Sequence, residues 1–136
     1  MNNLEVVSIF NKLLKTNVKP YPNDYVLHCN SGIFFTNNIL LGSWHDADCC
    51  EEHYLDFQHI TLEEFKGLKF DLSDDNFFKK IPDYGIELIP INGHSIKIPG
   101  YGYNNGYYGT NIKLVIINDD KLLNTYDVTE CQTIFD

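Results

Sequence analysis

The chain has 136 residues, 43% of them apolar and 14% aromatic, which supplies one sizeable core and is too short for two domains to be expected. Its formal net charge is −9 and all ten basic residues are Lys; without Arg forks for phosphates and base edges, no nucleic-acid partner is expected. No apolar run reaches membrane-spanning length, and Leu4, Val6, Val7, Ile9 and Phe10 are broken by Glu5, Ser8, Asn11 and Lys12, unlike a secretion signal, so a cytoplasmic protein without a membrane partner is expected.

Leu4, Val7, Phe10, Leu13 and Leu14, with Val6 and Ile9, recur at helical spacing, Asn3 stands where an N-cap would and Asn17 and Pro20 where a stop would. The spacing predicts an amphipathic helix over about residues 4–15. Pro20-Tyr-Pro-Asn-Asp24 reads as a linker, after which 25–29 and 33–36 are expected as two strands joined through Asn30-Ser31-Gly32. A third apolar run, 39–41, feeds the segment Trp44-His45-Asp46-Ala47-Asp48-Cys49-Cys50-Glu51-Glu52-His53.

Beyond it, His53, Leu55, Phe57 and His59 alternate with Tyr54, Asp56, Gln58 and Ile60, the period of a half-buried strand. Thr61 and Glu64 make a capping box for a short helix with Leu62 and Phe65 on its buried side and Gly67 as its stop. A second helical turn is expected after Ser73, where Asp74 and Asp75 suit a helix N-terminus and Pro82 lies past Lys79 and Lys80.

Asn92-Gly93 and Asn105-Gly106 are two-residue hairpin signals. A type I′ turn at the first pairs Ile91 with His94, Ile89 with Ile96 and Glu87 with Ile98. The second pairs Tyr103 with Tyr108, and keeping Ile112, Leu114 and Ile116 in phase with Ile96 and Ile98 requires a bulge near Pro99-Gly100. Asn118-Asp119-Asp120 then turns the chain into a last strand through Leu122, Leu123 and Tyr126. The resulting expectation is a single α+β domain over 1–136: mainly antiparallel sheet with a C-terminal β-meander, the N-terminal amphipathic helix packed on one face, and one or two short helices.

Four cysteines, Cys29, Cys49, Cys50 and Cys131, are too few and too unevenly spaced for a disulfide framework, and adjacent Cys49 and Cys50 would bridge only through a strained ring. His45, Cys49, Cys50 and His53 are the soft ligand set of tetrahedral zinc. Adjacent side chains diverge in an extended chain, however, so the expected reading is no metal and no cofactor. Asp46, Asp48, Glu51 and Glu52 lack the glycine and late Glu of a calcium loop and read as a solvated acidic stretch. Cys49 or Cys50 with His53 is the nominal thiol-catalytic alternative, without the local signature of a known cysteine hydrolase. The glycines at 100, 102, 106 and 109 precede no helix and cradle no phosphate.

The other candidate surface is the tyrosine-rich stretch 99–109, with Tyr101, Tyr103, Asn105, Tyr107 and Tyr108. Tyrosine interleaved with Gly and Asn has the composition of recognition loops, and also of rings packed across a twisted hairpin.

Asp48-Cys49-Cys50-Glu51, followed about fifty residues on by Asn105-Gly106-Tyr107-Tyr108, resembles the motif pair of a family of small phage-, prophage- and gut-bacteria-associated proteins classed as a domain of unknown function. The likeness covers about residues 30–117 and implies a compact, β-rich accessory protein without established catalytic residues. Two expectations result. The favoured one is a phage- or mobile-element-derived accessory protein that binds another protein through an acidic, tyrosine-rich surface of Tyr101, Tyr103, Asn105, Tyr107, Tyr108, Asp48 and Glu51. The alternative is a small metal- or thiol-dependent enzyme centred on Cys49 and Cys50.

Overall fold

The computed structural model describes residues 2–10, 14–18, 25–44, 52–57, 60–104, 112–128 and 131–135. Among the described residues, eleven strands run in chain order: β1 (Val6–Phe10), β2 (Leu14–Val18), β3 (Tyr25–Phe35), β4 (Ile39–Trp44), β5 (Glu52–Leu55), β6 (Phe78–Ile81), β7 (Gly85–Leu88), β8 (Ile96–Asn104), β9 (Lys113–Asn118), β10 (Lys121–Asp127) and β11 (Gln132–Phe135). They form a six-stranded sheet, β1-β3-β4-β9-β10 with β2 also on β3, and a five-stranded sheet, β11-β8-β7-β6 with β5 also on β8. Among these strands the pairings are antiparallel except β11 on β8.

The N-terminal amphipathic helix is absent, and the α+β assignment with it: among the described residues the only helices are 3-10 turns of three or four residues. Residues 6–10 and 14–18 are extended. Leu4 exchanges two 2.8 Å backbone hydrogen bonds with Phe70, and β1 and β2 pair in succession along β3, from Val6 opposite Phe35 to Val18 opposite Tyr25. Two physical reasons outweigh the helical spacing. A twelve-residue helix is marginal on its own, and the branched Val6, Val7 and Ile9 favour extended backbone, for which an eleven-residue β3 offers a matching edge. Burial agrees, since Leu4 is fully buried while Val7, which a helix would place on the same face, is 53% exposed. Asn3 is left-handed (φ 58°) and caps nothing helical.

The two strands expected at 25–29 and 33–36 are one. Asn30-Ser31-Gly32 runs through the middle of β3, where the register against β4 shifts between Cys29 and Ser31. In the central part, Glu64 accepts the Thr61 N–H at 2.8 Å, as the capping box requires, and Gly67 ends the 3-10 turn with φ 80°. Phe65 is buried there, but Leu62 faces solvent. The turn after Ser73 is a single 3-10 turn, Asp75–Phe77, capped by the Asp74 carboxylate accepting the Asn76 N–H at 3.0 Å.

The C-terminal meander is also corrected, because β8 and β9 belong to different sheets. The first hairpin exists one register step from the expected one: Leu88 faces Ile96, Glu87 faces Lys97 and Ile86 faces Ile98. This register buries Ile86, Leu88, Ile96 and Ile98 together, whereas the expected pairing set Glu87 against Ile98. Asn92-Gly93 therefore forms no two-residue turn. Asn92 instead clamps the neighbouring chain, its side chain accepting the Lys69 N–H at 2.7 Å and donating to the Gly67 carbonyl at 3.0 Å. Gly93 is left-handed (φ 78°), and a Cβ there would lie 2.6 Å from Leu68. Along β8 the partner changes at Pro99, with β7 on residues 96–99 and β5 and β11 on residues 100–104. Asp119, left-handed at φ 57°, and Asp120 turn β9 into β10 as expected, but the last strand is β11.

The two sheets enclose one core. Ile33, Leu41 and Ile116 of the six-stranded sheet join Leu55, Ile86 and Ile98 of the other, closed by Phe57, Phe65 and Phe70. A polar staple ties the sheets: the buried Ser31 and Ser43, paired across β3 and β4, hold both backbone groups of Leu55 in β5. Ser43 Oγ accepts the Leu55 N–H at 3.1 Å, and Ser31 Oγ donates to the Leu55 carbonyl. Ser43→Ala strands a buried N–H and is expected to cost about 1–3 kcal/mol in urea unfolding; a loss within error of zero would remove the staple from the energetics.

Candidate functional site at one end of the two sheets

The strand registers fix where the cysteine and tyrosine segments are rooted. β4 ends at Trp44 in the six-stranded sheet and β5 begins at Glu52 in the other, so residues 45–51 cross between sheets. β8 ends at Asn104 and β9 begins at Lys113, so residues 105–112 cross back. Trp44 lies opposite Lys113, and Glu52 lies opposite Tyr103. Both crossings therefore leave from, and return to, neighbouring strands at one end of the molecule. Phe135 of β11, opposite Asn104, stands at the same end. So does the β2–β3 ribbon: Cys29 faces Trp44, and 25–28 continue past the end of β4 paired only to β2 among the described strands.

His45, Asp48, Cys49, Cys50, Glu51, Asn105, Tyr107 and Tyr108 lie outside the described residues, as does the expected Tyr103–Tyr108 pairing. His53 is placed by its backbone in β5 opposite Gly102, and Tyr103 by its backbone opposite Glu52 and Ile134. Tyr101 is half-buried, its ring centroid 5.9 Å from that of its cross-strand partner Tyr54 at an interplanar angle of 47°. That ring thus packs across β5 and β8, not across the expected hairpin.

The two described thiols are packing groups. Cys29 is fully buried, and burial pushes its pKa up to about 11 from an ordinary 9.0. Its Sγ sits over Gly42, where an added Cβ would come within 2.6 Å of it. Cys131 is 5% exposed. The nucleophile is the thiolate, so Cys29 is expected to resist a thiol reagent at pH 7–8 until the chain unfolds. Mass-resolved alkylation checks this, and Cys29 labelling in the native state would contradict it. The sign of the pH effect follows from the same shift. The folded chain keeps a proton that the unfolded chain releases near pH 9, so the buried thiol lowers stability as pH rises from about 9 to 11. Among the described residues, no three His, Cys, Asp or Glu side chains gather to hold one metal ion, and no helix is long and apolar enough to cross a membrane.

Sequence reasoning missed the outer face of the six-stranded sheet. Cys29, Leu40, Val115 and Ile117 form a second buried cluster there, with Phe10, Phe34 and Trp44 packed against it. The signal was present in Ile33-Phe34-Phe35, Ile39-Leu40-Leu41 and Leu114-Val115-Ile116-Ile117, since uninterrupted apolar runs mark strands covered on both faces. No protein-family model, curated protein or solved structure matches the chain.

Proposed function

We propose that this is a non-enzymatic accessory protein of phage or mobile-element descent, acting in the cytoplasm by binding another protein through the end of the molecule where the cysteine and tyrosine segments are rooted. The observation that carries the reading is the double register, Trp44 opposite Lys113 and Glu52 opposite Tyr103, which roots the acidic segment and the tyrosine segment side by side. Asp48 and Glu51 supply negative charge and Tyr101, Tyr103, Asn105, Tyr107 and Tyr108 supply amphipathic contact area, a combination suited to a partner with a basic contact face. The net charge of −9 speeds association with such a partner.

The test compares wild type with a Tyr107→Ala/Tyr108→Ala variant in affinity capture from host lysate, followed by a measured Kd for the recovered protein. Loss of at least about tenfold in affinity at unchanged thermal stability is expected, because buried tyrosines rank among the residues that dominate interfaces. An unchanged Kd would remove the reading. Elemental analysis of the same preparation separates it from the alternative: one zinc per chain, lost on replacing Cys49 and Cys50, would hand the segment to a metal-dependent enzyme.

A further inference from the structure

On the outer face of the six-stranded sheet lies a cleft of about 330 Å³. Its floor is one cross-strand row, Phe34 opposite Leu40 and Leu40 opposite Ile117, and Leu14 of β2 closes it from the side. Its rim is polar. Asn38 and Asp119 stand at the end of β4 and β9 away from Trp44 and Lys113, so the rim lies at the end opposite the segments of the proposed function.

Backbone geometry holds both rim residues in place. They are left-handed, with φ 60° at Asn38 and 57° at Asp119. The Asp119 N–H donates to the Asn38 carbonyl at 3.3 Å, and the Asn118 side chain donates to the Asn37 and Asn38 carbonyls at 3.0 and 3.3 Å. Asp119 is the one charged residue among the described residues lining the cleft.

We propose that this cleft binds a small apolar amine, one ammonium group carried on an aromatic or branched aliphatic body. The body fills the space between Phe34, Leu40, Ile117 and Leu14, whose volume is at the small end of ligand pockets and suits a single ring or a short branched chain. The ammonium reaches the Asp119 carboxylate, and the Asn38 carboxamide oxygen offers a second acceptor. A carboxylate on the same body would meet Asp119 and the −9 chain charge and be repelled.

The experiment is a 1H–15N NMR titration of the full chain at neutral pH with three probes of one shape: phenethylamine, 2-phenylethanol and 3-phenylpropionate. Saturable shifts confined to amides around Leu40, Ile117 and Asp119 are expected, with the amine binding about fivefold or more tighter than the alcohol and the acid weakest; the advantage is modest because Asp119 is exposed. Asp119→Asn keeps the left-handed backbone that Asn tolerates, so the fold survives the change. It is expected to abolish the amine's advantage and leave the alcohol's affinity unchanged. Absent or scattered shifts, an alcohol or acid that matches the amine, or an Asp119→Asn variant that still prefers the amine would each overturn the proposal.

Discussion

Phe70→Ala is expected to cost about 3–5 kcal/mol, read as a lower urea midpoint at unchanged slope. Phe70 is fully buried, with its ring centroid 5.6 Å from Phe35 in an edge-on contact and 6.3 Å from Phe65. Its backbone carries the two hydrogen bonds that tie Leu4 to the central segment. Truncation empties a ring-sized volume at the junction of β3, the 3-10 turn Leu62–Phe65 and the N-terminal strand, none of which can collapse into it without leaving its sheet or turn. For a domain whose whole stability is of order 5–15 kcal/mol, that is about a fifth of it or more. Leu62→Ala, in the same turn but 49% exposed, is the internal control, with a change within about 0.5 kcal/mol. Equal losses for the two variants would mean that the turn packs in the opposite sense.

Gly85→Ala is expected to cost about 3 kcal/mol, the upper end of overpacking penalties. A Cβ at Gly85 would lie 2.3 Å from the Ile98 carbonyl oxygen, 2.7 Å from the Gly100 nitrogen and 3.0 Å from the Pro99 carbonyl carbon. All three are backbone atoms of β8, so no side chain can swing aside. The strands must separate where β8 changes partners, next to the 2.6 Å hydrogen bond from the Gly100 N–H to the Tyr84 carbonyl. Because β8 carries Tyr103 and Asn104, the variant is expected to disturb amide shifts at the roots of the tyrosine segment as well as the melting temperature. A loss below about 1 kcal/mol with those shifts intact would mean that β7 and β8 do not approach this closely.

Local signals in the sequence were sound where a short-range rule decided the outcome. The Thr61–Glu64 cap, the left-handed Gly67 stop and the Asp119-Asp120 turn are each set by residues within a few positions of one another. The failures come where a distant partner decided. Leu4, Val7 and Phe10 fit a helical stripe until β3 supplies an edge of matching length, and only long-range pairing brings that edge alongside. Asn92-Gly93 has hairpin composition, yet Gly67 and Lys69, more than twenty residues earlier, use Asn92 as a clamp. The meander reading put β8 beside β9 because sequential strands usually pair. It failed because apolar runs on both faces of β4 and β9 demand a sheet of their own. The candidate residues were legible as types and their relation was not: the neighbouring roots of the two segments follow from two registers, each between strands distant in sequence.

That relation is best tested by cross-strand nuclear Overhauser effects in isotope-labelled protein. The split-sheet topology predicts close backbone proton contacts between Trp44 and Lys113 and between Glu52 and Tyr103. A continuous set of contacts from β8 to β9, with Tyr103 near Tyr108 and, past a bulge at Pro99-Gly100, Ile96 or Ile98 facing Leu114, would restore the meander, separate the two roots and contradict the single binding end.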